Sequence, residues 1–395
     1  MTSLTSSFLP ALRSRFKVFL SPHLLRTVRE ISFSGQEVTT EYTTKPKPRP
    51  APDNPLTFGT VTTDHMFITN WKLGQGWKNP RIVPYQPLQL DPTAKVLHYA
   101  IEVFEGMKAY LGDDKELRMF RPMKNMDRLH KSAIRATLPV FDKTELKECL
   151  KALLEVDRDW APDRKECSLY IRPTIIGVDA SLGVNVATEA LLYTILCPVG
   201  SYYGGGSFEA VSLYADEKAV RAWPGGAGSS KLGANYAPTV ARQVEAAENG
   251  CVQVLWLFGD DHELTEVGTM NIFAFWENQR GEREVITPPL SDIILPGVTR
   301  DSVIQLIRSW GDVPVVERTF TMQDVMTAVN ENRMLGLFGT GTACVVSPVK
   351  DILYRGERIA IPTLERAPVV TKVYKNLTDI HYGRTRAFSE WVELV

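Results

Sequence analysis

The chain has 395 residues and is short of the features that mark several large protein classes. It holds only five cysteines, at 149, 167, 197, 251 and 344, an odd number with no Cys-x-x-Cys pair. That usage argues against a disulfide framework and fits a reducing compartment. Its six histidines are dispersed, with no His-x-x-x-His spacing, so no metal site is expected. No apolar run is long enough to span a membrane. The 45 Lys and Arg nearly balance the 46 Asp and Glu, leaving a formal charge of -1, so nothing global points to nucleic acid. No Gly-x-Gly-x-x-Gly opens a helix and no simple βαβ period repeats, which speaks against a dinucleotide-binding fold.

What is present suffices for a sizeable core: 44% of residues are hydrophobic, enough for two domains. Residues 1–29 stand apart. They carry Arg13, Arg15, Lys17, Arg26 and Arg29, no acidic residue, and many Ser and Thr. Leu12, Phe16, Phe19 and Leu20 share one helical face, so the segment has the composition of a mitochondrial transit peptide, with a plain basic tail as the alternative. Residues 30–55 form an extension ending in an alternating-proline linker or strap.

From about residue 56 the pattern is mixed. Strands are expected at 64–71, 106–110, 117–121, 168–173, 190–199, 210–214, 219–223, 252–258, 263–267 and 270–277, with late strands near 345, 352 and 359. Helices are expected at 126–136, 144–155, 235–249, from 298 to about 310, and at 321–330. The strongest is 144–155, where Leu146, Cys149, Leu150, Leu153 and Leu154 recur on one face. Thr321 and Asp324 have the spacing of a capping box. The three glycines at 204–206 suggest a boundary, giving a small α+β domain over 56–203 and a large one over 204–395.

Gly225-Gly-Ala-Gly-Ser-Ser-Lys231-Leu-Gly-Ala-Asn-Tyr-Ala237 is the most unusual stretch. Composition alone leaves Lys231 as either a surface lysine or a cofactor-bearing amine. A nucleotide phosphate loop is excluded, because Ser230 stands where Gly is required and Leu232 where Ser or Thr is.

Company elsewhere in the chain decides between the two. The chain resembles the branched-chain amino acid aminotransferases, pyridoxal phosphate enzymes of fold type IV. The markers are Phe104-Glu-Gly-Met-Lys-Ala109, Phe120-Arg-Pro with Asn125-Met-Asp-Arg128, Ser168-Leu-Tyr-Ile-Arg-Pro173, Gly228-Ser-Ser-Lys-Leu-Gly-Ala-Asn-Tyr-Ala237, Glu266-Val-Gly-Thr-Met-Asn271, Leu295-Pro-Gly-Val-Thr-Arg300 and Gly339-Thr-Gly-Thr-Ala343. Their order from Phe58 to the C-terminus makes a chance match untenable.

The resemblance implies a two-domain α+β fold and pyridoxal 5'-phosphate as cofactor. It implies amino transfer from L-leucine, L-isoleucine or L-valine to 2-oxoglutarate, giving the branched 2-oxo acid and L-glutamate by ping-pong half-reactions. It makes Lys231 the catalytic lysine, since only a primary amine can be exchanged for the substrate amine. Glu266 faces the ring nitrogen, Tyr236 the phenolic oxygen, and Arg128, Val298, Thr299 and Thr342 hold the phosphate. The substrate positions are Phe58, Tyr99, Phe104, Tyr170, Arg172, Tyr202, Thr269, Met270, Thr342 and Ala343. Tyr99 and the amides of Thr342 and Ala343 would meet the substrate carboxylate, and Arg172 the distal carboxylate of glutamate. The glycines around Lys231 are expected to let the ring approach the backbone. Leu182 and Val184 would come from the partner of a homodimer. One departure stands out: mammalian relatives carry Cys-x-x-Cys after this Gly-Thr-Ala turn, whereas here Cys344-Val-Val-Ser347 cannot close that disulfide. The alternatives are another fold type IV enzyme, such as a D-amino-acid aminotransferase or aminodeoxychorismate lyase, and a catalytically silent protein on the same fold.

Overall fold

Two sheets organise the chain. The computed structural model describes residues 32–51, 54–201 and 208–395. The basic segment 1–29, Tyr202 and the expected boundary at 203/204 lie outside the described residues.

The first sheet runs in the order Thr39–Thr40, Arg81–Pro84, His65–Lys72, Glu189–Val199, Ser168–Gly177, Met107–Leu111, Leu117–Phe120, Val392–Leu394. Three of its members are unexpected, Arg81–Pro84 among them. Thr39–Thr40 pairs with Arg81–Pro84, and nearby Phe33, 3% exposed, packs on Phe67 and Trp77. Part of the N-terminal extension is therefore core rather than linker. The C-terminal strand Val392–Leu394 returns to pair with Leu117–Phe120, which closes the sheet's far edge with the chain's own end. The strand expected at 168–173 is longer, Ser168–Gly177, because Glu189–Val199 pairs with it throughout. Pro173 sits inside without breaking the strand.

Helices Pro122–Arg135 and Lys143–Val156 cover this sheet. The second buries the face expected from its periodicity: Leu146, Cys149, Leu150, Leu153 and Leu154 are all fully buried. Asp142 starts it by accepting from the amides of Thr144 and Glu145.

The second sheet runs Glu263–Val267, Gln253–Phe258, Val211–Asp216, Val345–Tyr354, Met334–Gly341, Met270–Glu277, Arg283–Thr287, Val315–Glu317. Glu263–Val267 also pairs with Met270–Glu277 through the Gly268-Thr269 turn, which closes six of these strands into a ring. Helix Met322–Asn330 begins with the capping box expected at Thr321 and Asp324. Residues 219–223, expected as a strand, are irregular. They find no sheet partner because Arg221 turns inward there, as described below. A third apolar cluster joins the two sheets, with Tyr110 and Phe120 from the first meeting Phe273, Phe338 and helix Val298–Trp310 from the second.

Candidate active site

The loop that carries Lys231 is held from both sides of this junction. Its amide donates to Ser132 Oγ at 2.8 Å, on helix Pro122–Arg135. Its carbonyl accepts from the Phe104 amide at 3.1 Å, on strand Glu102–Phe104. Asn235 staples the loop internally, donating to the carbonyls of Ala227 and Ser230, each at 2.9 Å. Two of the glycines are required by the loop's own packing. Gly225 adopts φ +77°, and a side chain at Gly228 would meet the Ala222 Cβ at 2.4 Å and the Asp292 carbonyl at 2.7 Å. They let the loop fold onto its own neighbours, and this aims the lysine.

Lys231 Nζ lies 3.0 Å from the Tyr236 hydroxyl and over the Phe104 ring. From there the predicted aromatic residues form a continuous chain of contacts. Phe104 and Tyr236 have ring centroids 5.0 Å apart. The Arg172 guanidinium stands 4.7 Å from the Phe104 centroid and donates to the Tyr170 hydroxyl at 2.9 Å. Tyr170 in turn meets Phe58 edge-on at 4.8 Å. Arg172 Nε is buried with no hydrogen-bond partner among the described residues, so a donor remains for an anion.

Glu266 is 3% exposed and reaches its position through strand pairing. It lies opposite Asn271, which lies opposite Thr340, so the three side chains share one face of the ring. Glu266 accepts from the Leu295 amide at 2.9 Å and pairs with Arg221 at 2.6 Å. Burial pushes its carboxyl above the ordinary value, and the pull of Arg221 only partly offsets this.

Arg128 and Glu105, both buried, form a two-pronged ion pair at 2.6 and 2.8 Å. Burial pushes the Glu105 carboxyl up, but Arg128 outweighs it and holds the group below the usual carboxylate range. Arg128 Nη1 also donates to the Pro296 carbonyl at 3.0 Å. Of five guanidinium hydrogens, about two then remain free for an anion, one on each terminal nitrogen. Helix Val298–Trp310 starts close by, at Gly297, with no side-chain cap, so the amides of Val298 and Thr299 are available. Val298, Thr299 and Thr342 line one cavity with Asn125 and Lys108.

These residues fit pyridoxal 5'-phosphate. The site joins a primary amine, a buried carboxylate, a forked cation and an uncapped helix start. It also leaves the buried Thr340 Oγ1 with no partner among the described residues, on the same face as Glu266. Met270 and the Thr342-Ala343 turn are drawn in as well: Cys344 Sγ is 3.0 Å from Met270 Sδ, and Met270 packs on Gly339 and Gly341.

Four predicted residues stand elsewhere. Tyr99 donates to the Leu182 carbonyl, and Leu182 and Val184 are 57% and 78% exposed, a separate group on the rim. Thr269 is exposed at its hairpin turn. Sequence reasoning assigned no role to Arg221, Glu105, Asn271, Ser132 or Lys108. The available signal was a charge set among apolar or small neighbours, at Arg221 between Val220 and Ala222 and at Glu105 between Phe104 and Gly106.

Residues 102–352 match the model of the family described as amino-transferase class IV. The chain is 52% identical over 353 residues to the mitochondrial branched-chain-amino-acid aminotransferase of Rattus norvegicus, covering 89% of this chain and 90% of that protein. It is 52% identical over 361 residues to the cytosolic enzyme of Ovis aries, covering 91% and 93%. Among solved structures, the T.th. branched-chain amino acid aminotransferase with pyridoxamine 5'-phosphate superposes with a TM-score of 0.66 at 25% identity, covering 82% of this chain and 97% of that one.

Proposed function

This chain belongs to the class IV aminotransferases, and from that membership we propose how its own residues carry the reaction. The protein is a branched-chain-amino-acid transaminase: it transfers the amino group of L-leucine, L-isoleucine or L-valine reversibly to 2-oxoglutarate, giving the 2-oxo acid and L-glutamate. Pyridoxal 5'-phosphate is its cofactor, and when bound it supplies an electron-poor ring that spreads the negative charge left at Cα after proton loss.

Lys231 Nζ takes the proton from the substrate Cα and returns one to the opposite end of the reacting group. The Tyr236 hydroxyl, 3.0 Å from that amine, fixes its direction. Glu266 holds a proton at the ring nitrogen, and Arg221 keeps the carboxyl charged enough to do so despite its burial. Arg128 and the amides of Val298 and Thr299, with the Thr342 hydroxyl, bind the phosphate. Phe58, Phe104, Tyr170 and Met270 exclude water and shape the apolar side-chain pocket; Tyr202, outside the described residues, is assigned to the substrate from the resemblance alone. Arg172 receives the distal carboxylate of glutamate, which explains how one pocket takes both an apolar and an anionic side chain. Thr269, exposed at its hairpin turn, is assigned to the substrate from the resemblance alone. The substrate carboxylate meets the amides of Thr342 and Ala343.

The Tyr99–Leu182 rim belongs to the neighbouring site in a homodimer. Two exposed aliphatic side chains, Leu182 and Val184, on a loop tied to Tyr99, support that reading. The two sheets are taken as two domains that meet at the site. Relatives include mitochondrial and cytosolic forms; the composition of residues 1–29 favours the mitochondrial matrix here.

The carrying observation is the unbroken path Lys231–Tyr236–Phe104–Arg172–Tyr170–Phe58. The test is a substrate panel on purified protein loaded with cofactor. L-Leucine, L-isoleucine and L-valine should turn over with 2-oxoglutarate, and D-alanine and aminodeoxychorismate should not. Preference for D-alanine would reassign the pocket.

A further inference from the structure

Lys108 lies outside the residues described so far as catalytic, on strand Met107–Leu111 of the first sheet. It is 4% exposed, and its ammonium donates to the Ala343 carbonyl of the second sheet at 2.7 Å. Among the described residues it has no carboxylate partner. A buried ammonium without a counter-charge loses its hydration with no full repayment, so the fold retains it against a penalty.

Its receiving carbonyl belongs to a tight hairpin. Gly341 pairs with Val345, and Thr342, Ala343 and Cys344 make the turn. Val345 follows at φ +64°, a left-handed backbone that a β-branched residue rarely adopts. Such a conformation is strained and persists only where its surroundings dictate it. The Lys108 ammonium supplies a cross-sheet restraint at the turn. It also lines the cavity shared by Val298, Thr299 and Thr342.

We propose that Lys108 is a positioning residue for carboxylate recognition: by holding the Ala343 carbonyl it fixes the turn whose Thr342 and Ala343 amides receive the substrate carboxylate. This rests on the reading that the carboxylate binds at those amides. The ammonium also adds a positive charge close to where that anion sits.

The surroundings make the clamp sensitive to pH. Burial pulls the Lys108 ammonium down to about 8. Burial moves the Cys344, Cys167, Tyr110, Tyr382 and His381 groups around it away from that range. The Cys344 thiol is pushed up to about 12, and burial also raises Cys167. The Tyr110 and Tyr382 hydroxyls are raised by burial, and the His381 imidazole is lowered to about 3. Tyr374 and Glu166, bonded to each other at 3.1 Å, line the same pocket from its outer side. A cation with a lowered pKa is charged below that value and neutral above it. The clamp therefore holds at neutral pH and weakens as pH rises through about 8.

The test uses the holoenzyme and 4-methylpentanoate, which has the carboxylate and branched chain but no amino group. Calorimetric affinity should fall about tenfold in Lys108→Met at pH 7, the scale of one charge-assisted hydrogen bond, and Lys108→Arg should recover most of it. Wild-type affinity should decline as pH passes 8, and the Lys108→Met profile should be flat there. Melting temperature is read alongside, because a purely structural lysine would shift it without removing that pH limb. Equal affinity and an equal pH profile in wild type and Lys108→Met would overturn the proposal. Should Lys108→Met fail to fold, a wild-type affinity that stays level from pH 7 to about 9, across a lysine lowered this far, overturns it alone. The amide of Ala343, isolated by labelling threonine carbonyl carbon and alanine nitrogen, separates the two ideas. If it does not respond to 4-methylpentanoate in the wild type, the carboxylate placement fails; if it responds but Lys108→Met binds as wild type, only the role of Lys108 fails.

Discussion

Arg221 and Cys344 illustrate how burial sets the chemistry of single side chains. Arg221 is 6% exposed at its side chain, meets Glu266 at 2.6 Å, and donates to the carbonyls of Gly228 and Ile293. Replacing it with Met strands a buried carboxylate. Breaking one partner of such a pair typically costs about 3–5 kcal/mol, so Arg221→Met should lower the unfolding free energy, read from a denaturation curve, by that amount. Glu266 should then take up a proton, because burial already pushes its carboxyl upward; cofactor affinity, measured by titrating the apoprotein, should fall with it. Cys344 shows the opposite case. Its thiol is buried and pushed up to about 12, so almost none is thiolate at neutral pH. Ser347, at the position of a second cysteine, cannot resolve an oxidised sulfur. Mild peroxide should leave activity unchanged by this route, and mass spectrometry should find no Cys344 disulfide. A reversible disulfide there that tracks activity would overturn this. Lys231 and Glu266 were singled out from their motifs, and the roles proposed for them rest on those motifs. Arg221 was not, because nothing local tells an arginine in a short apolar run whether it faces solvent or a buried acid.

Secondary-structure elements were legible where their own period was strong. Helix Lys143–Val156 buries the predicted Leu146, Cys149, Leu150, Leu153 and Leu154 because they recur on one face. Leu150 is fully buried among them, so Leu150→Ala should destabilise the protein by about 2–5 kcal/mol through lost transfer and a residual cavity. A chemical denaturation curve checks it, and a change below about 1 kcal/mol would mean the helix face is not packed as described. The elements missed include the long helix Pro368–His381 and the central strand Met334–Gly341, to which the reading assigned no period, and short strands whose reason is a distant partner. Thr39–Thr40 and Val392–Leu394 are too short to show alternation and are strands only because the sheet edges at Arg81–Pro84 and Leu117–Phe120 accept them. Residues 219–223 look extended in composition, yet Arg221 is drawn inward and the segment never pairs.

At the scale of the whole molecule, the site is a junction. Lys231 is carried by the second half of the chain and pinned by Ser132 and Phe104 of the first. Arg128 and Arg172 come from the first half, and Glu266, Val298 and Thr342 from the second. The rim residues Leu182 and Val184 reach outward, which gives the dimer proposal a direct test. Lys231→Ala and a Val184→Arg variant should each be nearly inactive alone. Refolded together in equal amounts they should regain about a quarter of wild-type activity, since half the dimers would be mixed and each would hold one intact site. No recovery would mean that the rim serves its own chain's site. The sequence by itself determined the family and the buried face of helix Lys143–Val156, and it singled out Lys231, Glu266 and the proposed phosphate residues, because each is written in a contiguous motif or a local period. Only the tertiary structure decided what Arg221, Glu105 and Lys108 do, why Gly225 and Gly228 are glycines, and which short segments are strands. The physical reason is the same in every case: a buried charge or a sheet edge takes its meaning from a partner far away in the chain, and that separation leaves no local pattern to read.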